Sequence, residues 1–317
     1  MVNGIINVYK EKGDTSFDVV AKLRGIFKQK KIGHTGTLDP DAEGVLPVCL
    51  GKATKVCDLL TDKSKEYETV LLLGKVTDTQ DITGTVLEEK DVKVTEEAVR
   101  ETVLSFVGDY MQIPPMYSAL KVNGKKLCDL AREGKTVERQ ARPVKILTID
   151  ILDVTLPRVR MRVHCSKGTY IRTLCQDVGE VLGCGACMES LLRTRVGEFA
   201  LADAIKLSEV EAYVIAHRSD AAETEELQLP FLQAVDTVFL KYESATVDGQ
   251  FRKYLYNGNR LRPEMFLEEH ESMRMAPVRV YDDEGAFFGI YEYQAEKEDY
   301  KPCLLYTSPS PRDYAAS

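Results

Sequence analysis

The run Lys31-Ile-Gly-His-Thr-Gly-Thr-Leu-Asp39-Pro-Asp-Ala-Glu-Gly44 constrains this chain most, because its backbone options are unusually narrow. Gly33, Gly36 and Gly44 open geometry closed to other residues, while Pro40 pushes Asp39 toward an extended conformation and away from helix. A loop built this way aims one side chain, the carboxylate of Asp39. Gly, Asp and Pro are also ordinary turn formers, and an isolated Asp-Pro pair is explained by a turn alone. Here the turn residues continue into the buried-looking apolar run Val45-Leu-Pro-Val-Cys-Leu50 and then Gly51-Lys-Ala-Thr-Lys55.

At 317 residues the chain exceeds the usual size of a single core, so one large domain and a smaller one are expected. No run of about 18 or more apolar residues marks a membrane span, and Met1-Val-Asn-Gly-Ile-Ile lacks the pattern of a signal peptide. A cytoplasmic location is the default expectation. Eight scattered cysteines without a secretory signal read as reduced thiols. Cys184-Gly-Ala-Cys187 has no second pair at a suitable spacing, and His34, His164, His217 and His270 are dispersed, so no metal is expected.

A net charge of −8 argues against nucleic-acid binding until the charges are located. Lys22, Arg24, Lys28, Lys30 and Lys31 lead into the Asp39 loop, and a second basic stretch runs from Lys121 to Lys145. Each alone is a solvated face; both are candidate phosphate-facing surfaces. Arg158, Arg160, Arg162 and His164 alternate with Val159, Met161, Val163 and Cys165, which places a basic set on one face of a strand and an apolar set on the other. Acidic residues gather elsewhere, notably between Glu209 and Glu226.

The pattern alternates strands and helices. Ile5–Tyr9 and Glu66–Leu73 read as strands; Thr15-x-x-Asp18 caps a helix bearing Val19, Leu23, Ile26 and Phe27. Thr95 opens a helix through Val107, Lys126–Glu133 is a short helix, and Tyr170–Leu182 is a helix ending at Gly183. Ser208-x-x-Glu211 caps another, the polar stretch Arg218–Glu226 marks a domain boundary, and Asp282-Asp-Glu-Gly285 joins the strands of a hairpin.

The Asp39 segment resembles the signature of the TruB type of tRNA pseudouridine synthase. Four further segments extend the likeness in order: Lys65-Glu-Tyr67, Pro114-Pro-Met-Tyr-Ser-Ala-Leu-Lys-Val-Asn-Gly-Lys125, Ser166-Lys-Gly-Thr-Tyr170-Ile-Arg172 and Leu191-Leu-Arg-Thr-Arg195-Val-Gly197. The resemblance implies an α+β pseudouridine synthase fold: a mixed, largely antiparallel sheet with surrounding helices and a catalytic cleft. It also implies a small β-rich C-terminal RNA-binding domain of the PUA type, marked by Tyr254–Asn259 and the hairpin. Residues 1–225 would form the catalytic domain and 226–302 the small one; 303–317 lack the expected last-strand pattern and look non-native. Glu11 also departs from the proline common after that lysine.

The same resemblance implies roles. Asp39 is the catalytic residue, Arg172 its cationic partner, and Tyr67 stacks on the flipped uracil and serves in proton transfer. Tyr170 lines the pocket, Leu191 or Leu192 walls it, His34 occupies the stack vacated by the extruded base, and Lys10, Lys31 and Lys121 contact phosphates. The reaction breaks the N1 to C1′ bond and joins C5 to C1′ without net redox change, so no cofactor is required. The expected partner is the T-arm stem-loop of tRNA, with no membrane, no obligate protein partner and a monomeric state. The alternatives are a synthase directed by guide RNA in a larger assembly, and an RNA-folding chaperone or binding module.

Overall fold

The computed structural model describes residues 1–122, 124–218 and 228–306. Most of the expected boundary stretch, 219–226, and the end of the tail, 307–317, lie outside the described residues.

Strand β1 (Gly4–Lys10) leads into helix α1 (Ser16–Phe27), whose start is the predicted capping box: Thr15 accepts from the Asp18 N–H while the Asp18 carboxylate accepts from Thr15. Strands β2 (Ile32–His34) and β3 (Glu43–Leu50) flank the Asp39 loop, and a short α2 (Cys57–Thr61) precedes β4 (Lys65–Leu73). A two-stranded ribbon, β5 (Lys75–Thr77) with β6 (Val86–Glu89), leads to α3 (Glu96–Ser105) and β7 (Gly108–Gln112). The basic segment holds β8 (Lys121–Val122), β9 (Lys125–Lys126) and α4 (Leu127–Arg132). The long hairpin β10 (Arg142–Thr155) and β11 (Arg158–Cys165) is followed by α5 (Ile171–Val181) and β12 (Ala186–Val196). Short strands β13 (Phe199–Ala200) and β14 (Ile205–Lys206), helix α6 (Leu207–Arg218) and β15 (Leu232–Gln233) complete the large unit.

Apart from the β5-β6 and β8-β9 ribbons, these strands form one 11-stranded sheet with the path β14-β1-β3-β12-β4-β11-β10-β7, to which β2, β13 and β15 pair at β3, β12 and β1. Only β1 with β14 and β3 with β12 pair in parallel, so the sheet is mixed and largely antiparallel, as the resemblance implied. Strand β4 lies centrally between β12 and β11, and α3 and α5 pack on this region through Val99, Val103, Leu174 and Val178. A separate cluster joins α1 and α6 to β1 and β3.

The chain then forms β16 (Ser244–Thr246), α7 (Arg252–Tyr256), β17 (Val278–Tyr281), β18 (Phe287–Gln294) and β19 (Asp299–Leu305), a four-stranded sheet in the order β16-β17-β18-β19. Its Ile290, Leu304 and Tyr306 pack against Ile5, Cys49 and Val235. The last strand therefore runs past residue 302: Leu304 and Leu305 pair with β18 beyond a bulge at Cys303, and the expectation that the strand pattern fails there is corrected. Cross-strand pairing and the apolar contacts of Leu304 and Tyr306 secure a segment whose composition alone looks irregular.

Two other expectations change. Helix α6 begins at Leu207, before Ser208, and the Glu209 carboxylate accepts from the Lys206 N–H at 2.9 Å, so the capping acid is Glu209. Strand β11 alternates as expected, but Arg158 is paired with Glu189 and Arg162 with Glu68 at 2.7 Å. Neighbouring strands thus neutralise much of that basic face. No helix among the described residues is long and apolar enough to cross a membrane.

Candidate active site

The Asp39 loop is pinned from several elements. Ser16, at the start of α1, accepts from the Leu38 N–H at 2.9 Å, and the Gly13 N–H donates to the Pro40 carbonyl at 2.9 Å. Lys10, at the end of β1, is fully buried, and its ammonium donates to the carbonyls of Glu11, Pro40 and Ala42. Its expected role as a phosphate contact is corrected: all three donors are spent on loop carbonyls. Gly44 has φ +104°, and a Cβ there would collide with the carbonyl oxygen of Arg193, so glycine permits the approach of β3 to β12.

So held, Asp39 faces Arg172 in the first turn of α5. Arg172 Nε lies 2.9 Å from Oδ2 of Asp39, and Nη2 donates to Oδ1 at 3.1 Å, a bidentate pair. The remaining donors of this buried guanidinium reach the Tyr117 carbonyl at 2.8 Å and the Thr79 carbonyl at 3.0 Å, with Asp81 Oδ2 at 3.7 Å from Nη1. Burial raises the Asp39 pKa; Arg172 opposes that rise and Asp81 adds to it. Gln112, itself buried, grips both backbone groups of Tyr170 and so fixes the entry to α5.

A cavity of about 540 Å³ opens at this pair, within the size range of small-ligand sites. Asp39, Tyr67, Tyr170, Arg172 and Leu191 all line it. Of the two leucines considered, Leu191 faces the cavity and Leu192 does not line it, since successive residues of β12 point to opposite faces. Tyr67 is buried on the central strand, and burial pushes its hydroxyl up to about 12. Tyr170 is half-buried, its pKa likewise raised by burial.

His34, Lys31 and Lys121 do not line the cavity. His34 is half-buried, receives the Gly36 N–H at 3.3 Å on Nδ1, and has its pKa lowered chiefly by burial. Lys31 and Lys121 are exposed.

Three functional candidates escaped the sequence reading. Asp81 lies in a polar turn whose composition signals only a loop. Lys65 lines the cavity, donates to the carbonyls of Thr61 and Lys63, and is lowered to about 8 by burial. Arg193 is buried in the cavity wall, and strand alternation from Leu191 was the signal that places it there. All eight cysteines are free, Cys184 and Cys187 both buried.

The sheet order, the cleft and a carboxylate bound to a buried arginine beside a tyrosine define the class: a pseudouridine synthase fold. The structure described as "Crystal Structure of a Cbf5-Nop10-Gar1 Complex" matches 99% of this chain and 87% of its own at a TM-score of 0.71 and 26% identity. The model for the TruB family pseudouridylate synthase N-terminal domain matches residues 24–171, and that for the tRNA pseudouridylate synthase B C-terminal domain matches 172–245. A relative from Lachnoclostridium phytofermentans called tRNA pseudouridine synthase B is 55% identical over 96% of this chain and all of its own length. One of the same name from Alkaliphilus oremlandii is 43% identical over 94% of this chain and 96% of its own. The chain belongs to the TruB family of pseudouridylate synthases.

Proposed function

We propose that this chain isomerises the T-loop uridine of tRNA to pseudouridine, with Asp39 as the catalytic residue. The observation that carries this reading is the bidentate Asp39–Arg172 pair at the mouth of a cavity walled by Tyr67, Tyr170 and Leu191. Arg172 favours the ionised carboxylate against burial, and an ionised carboxylate is the form able to act as nucleophile or base on a nucleoside. Tyr67 and Leu191 supply flat and apolar surface for a flipped uracil. The base detaches from C1′ at N1 and rejoins it through C5, C5 losing its proton and N1 gaining one, so the product is an isomer of the substrate.

His34, beside the loop but outside the cavity, suits the stack left by the extruded base, and Lys31 and Lys121 suit phosphates of the T-arm. Residues 1–225 would carry the chemistry and 226–302 the RNA-binding module, acting as a cytoplasmic monomer without a partner protein. The structural relative named above is a complex of several proteins; the alternative reading is a synthase that works in a larger assembly directed by guide RNA. Mapping of pseudouridine in unmodified tRNA tests both. Product at the T-loop from the bare protein, and none from Asp39→Ala, is expected; product only with added RNA or proteins would favour the assembly.

A further inference from the structure

Arg193 is the largest fully buried side chain among the described residues, and its guanidinium is only partly used. Nε donates to the Val45 carbonyl at 2.7 Å and Nη1 to the Thr37 carbonyl at 3.5 Å, while buried Nη2 forms no complete hydrogen bond. A buried donor left unpaired is costly, so its retention in the wall of a reactive cavity calls for a partner. That partner is in register: Arg193 on β12 stands directly opposite Tyr67 on β4, and both side chains line the cavity. Directly opposed residues hold their Cβ atoms about 4.5–5.5 Å apart on one face, within reach for two long side chains.

We propose that Arg193 is a positioning residue that sets the direction of the Tyr67 hydroxyl, making Tyr67 a hydrogen-bond donor toward the substrate. Guanidinium has donors and no acceptor, so a contact to Tyr67 is made only by Tyr67 Oη accepting. The single phenolic proton is then directed away from Arg193, toward the remainder of the cavity. This assignment rests on the proposed reaction and adds a role for a residue that acts through Tyr67. Bonds of this kind often close fully only when substrate is bound.

The surroundings agree. The groups acting on Tyr67 are Arg193 from β12, Asp39 from its loop and Cys165 from β11; Lys65, two residues earlier on β4, faces Arg193. Burial holds the phenol protonated, Asp39 and Cys165 reinforce that, and Arg193 works in the opposite sense. Tyr67 is therefore neutral at physiological pH and has a proton to donate.

The test is a double-mutant cycle in single-turnover pseudouridine formation on unmodified tRNA, using Arg193→Gln, Tyr67→Phe and the double variant, with thermal unfolding of each. The expected result is a loss in rate constant with little change in half-saturating tRNA, and strong non-additivity: Arg193→Gln costs at least about tenfold in the parent and little once the Tyr67 hydroxyl is gone. Additive losses would overturn the proposal.

Should Arg193→Gln unfold, a fluorinated tyrosine at position 67 in the otherwise unaltered chain decides. Its more acidic hydroxyl must bring the fall of activity at high pH down to lower pH if Tyr67 donates; activity that rises with pH instead would mean Tyr67 accepts, refuting the assignment. Absence of product from the parent chain would fail the proposed function itself, which separates the two readings.

Discussion

Replacing Arg172 by Gln removes the charge opposite Asp39 while keeping a polar side chain. Two unit charges about 4 Å apart attract by roughly 4 kcal/mol at an effective dielectric of about 20. Asp39 keeps 38% of its side-chain surface accessible, so screening leaves roughly half of this, about 2 kcal/mol. At about 1.4 kcal/mol per pH unit, losing this attraction corresponds to a displacement of the acidic limb by about 1.5 pH units. The sign is fixed by the surroundings: burial and Asp81 already push this carboxyl up, Arg172 alone among the larger influences pulls it down, and its loss leaves the upward forces unopposed. If the ionised carboxylate is the working form, the acidic limb of the single-turnover rate profile must move to higher pH by that amount. Adding Asp81→Asn should return part of the shift. A rate that falls equally at every pH, with the limb unmoved, would refute the argument and reduce Arg172 to a structural brace for Thr79 and Tyr117.

Lys10→Met should lower unfolding free energy by about 2–4 kcal/mol, since it strips buried charged hydrogen bonds from loop carbonyls; urea titration measures this, and the salt dependence of RNA binding should stay as it was. Leu191→Ala should cost about tenfold in activity by removing apolar wall, roughly 1–2 kcal/mol, whereas Leu192→Ala should cost much less, because only Leu191 lines the cavity. If Lys31 and Lys121 meet phosphates, converting both to Ala should reduce the slope of log affinity against log salt by about 0.7–0.9 for each phosphate no longer neutralised; an unchanged slope would remove them from the interface.

The Asp39 loop was legible because its instructions are local: glycines and a proline act on their own backbone, whatever the remainder of the chain does. The capping box of α1 and the alternation of β11 were legible for the same reason. Arg172 lies 133 residues from Asp39, and only family likeness joined them before the fold did. Lys10 shows the opposite failure. A lysine beside a functional loop reads as a phosphate contact until burial is known, and burial is a property of β1 and its neighbours rather than of the residue. Cys303 to Leu305 were misjudged likewise, since a strand at the edge of a sheet is set by its partner as much as by its own composition.

Arg172, Arg193 and Lys65 all line this cavity, and their division follows from acid–base chemistry. Burial, with Arg193 nearby, lowers Lys65 to about 8, so an ammonium in this wall begins to lose its charge within about a unit of neutrality. The positions whose charge must persist, one facing the Asp39 carboxylate and one facing Tyr67, both hold guanidinium, which stays protonated when buried and presents donors in a fixed fork. Arg172 uses that fork fully: two hydrogen bonds orient the carboxylate, and the others tie the Tyr117 segment and the Thr79 turn to the same centre. Lysine in its place has three donors and a charge that burial would erode. Arg172→Lys, conservative by charge, should therefore keep the acidic limb near its parent position, because the ammonium is protonated there, yet lower the rate across the profile by losing the fork that orients Asp39 and ties the Thr79 and Tyr117 segments.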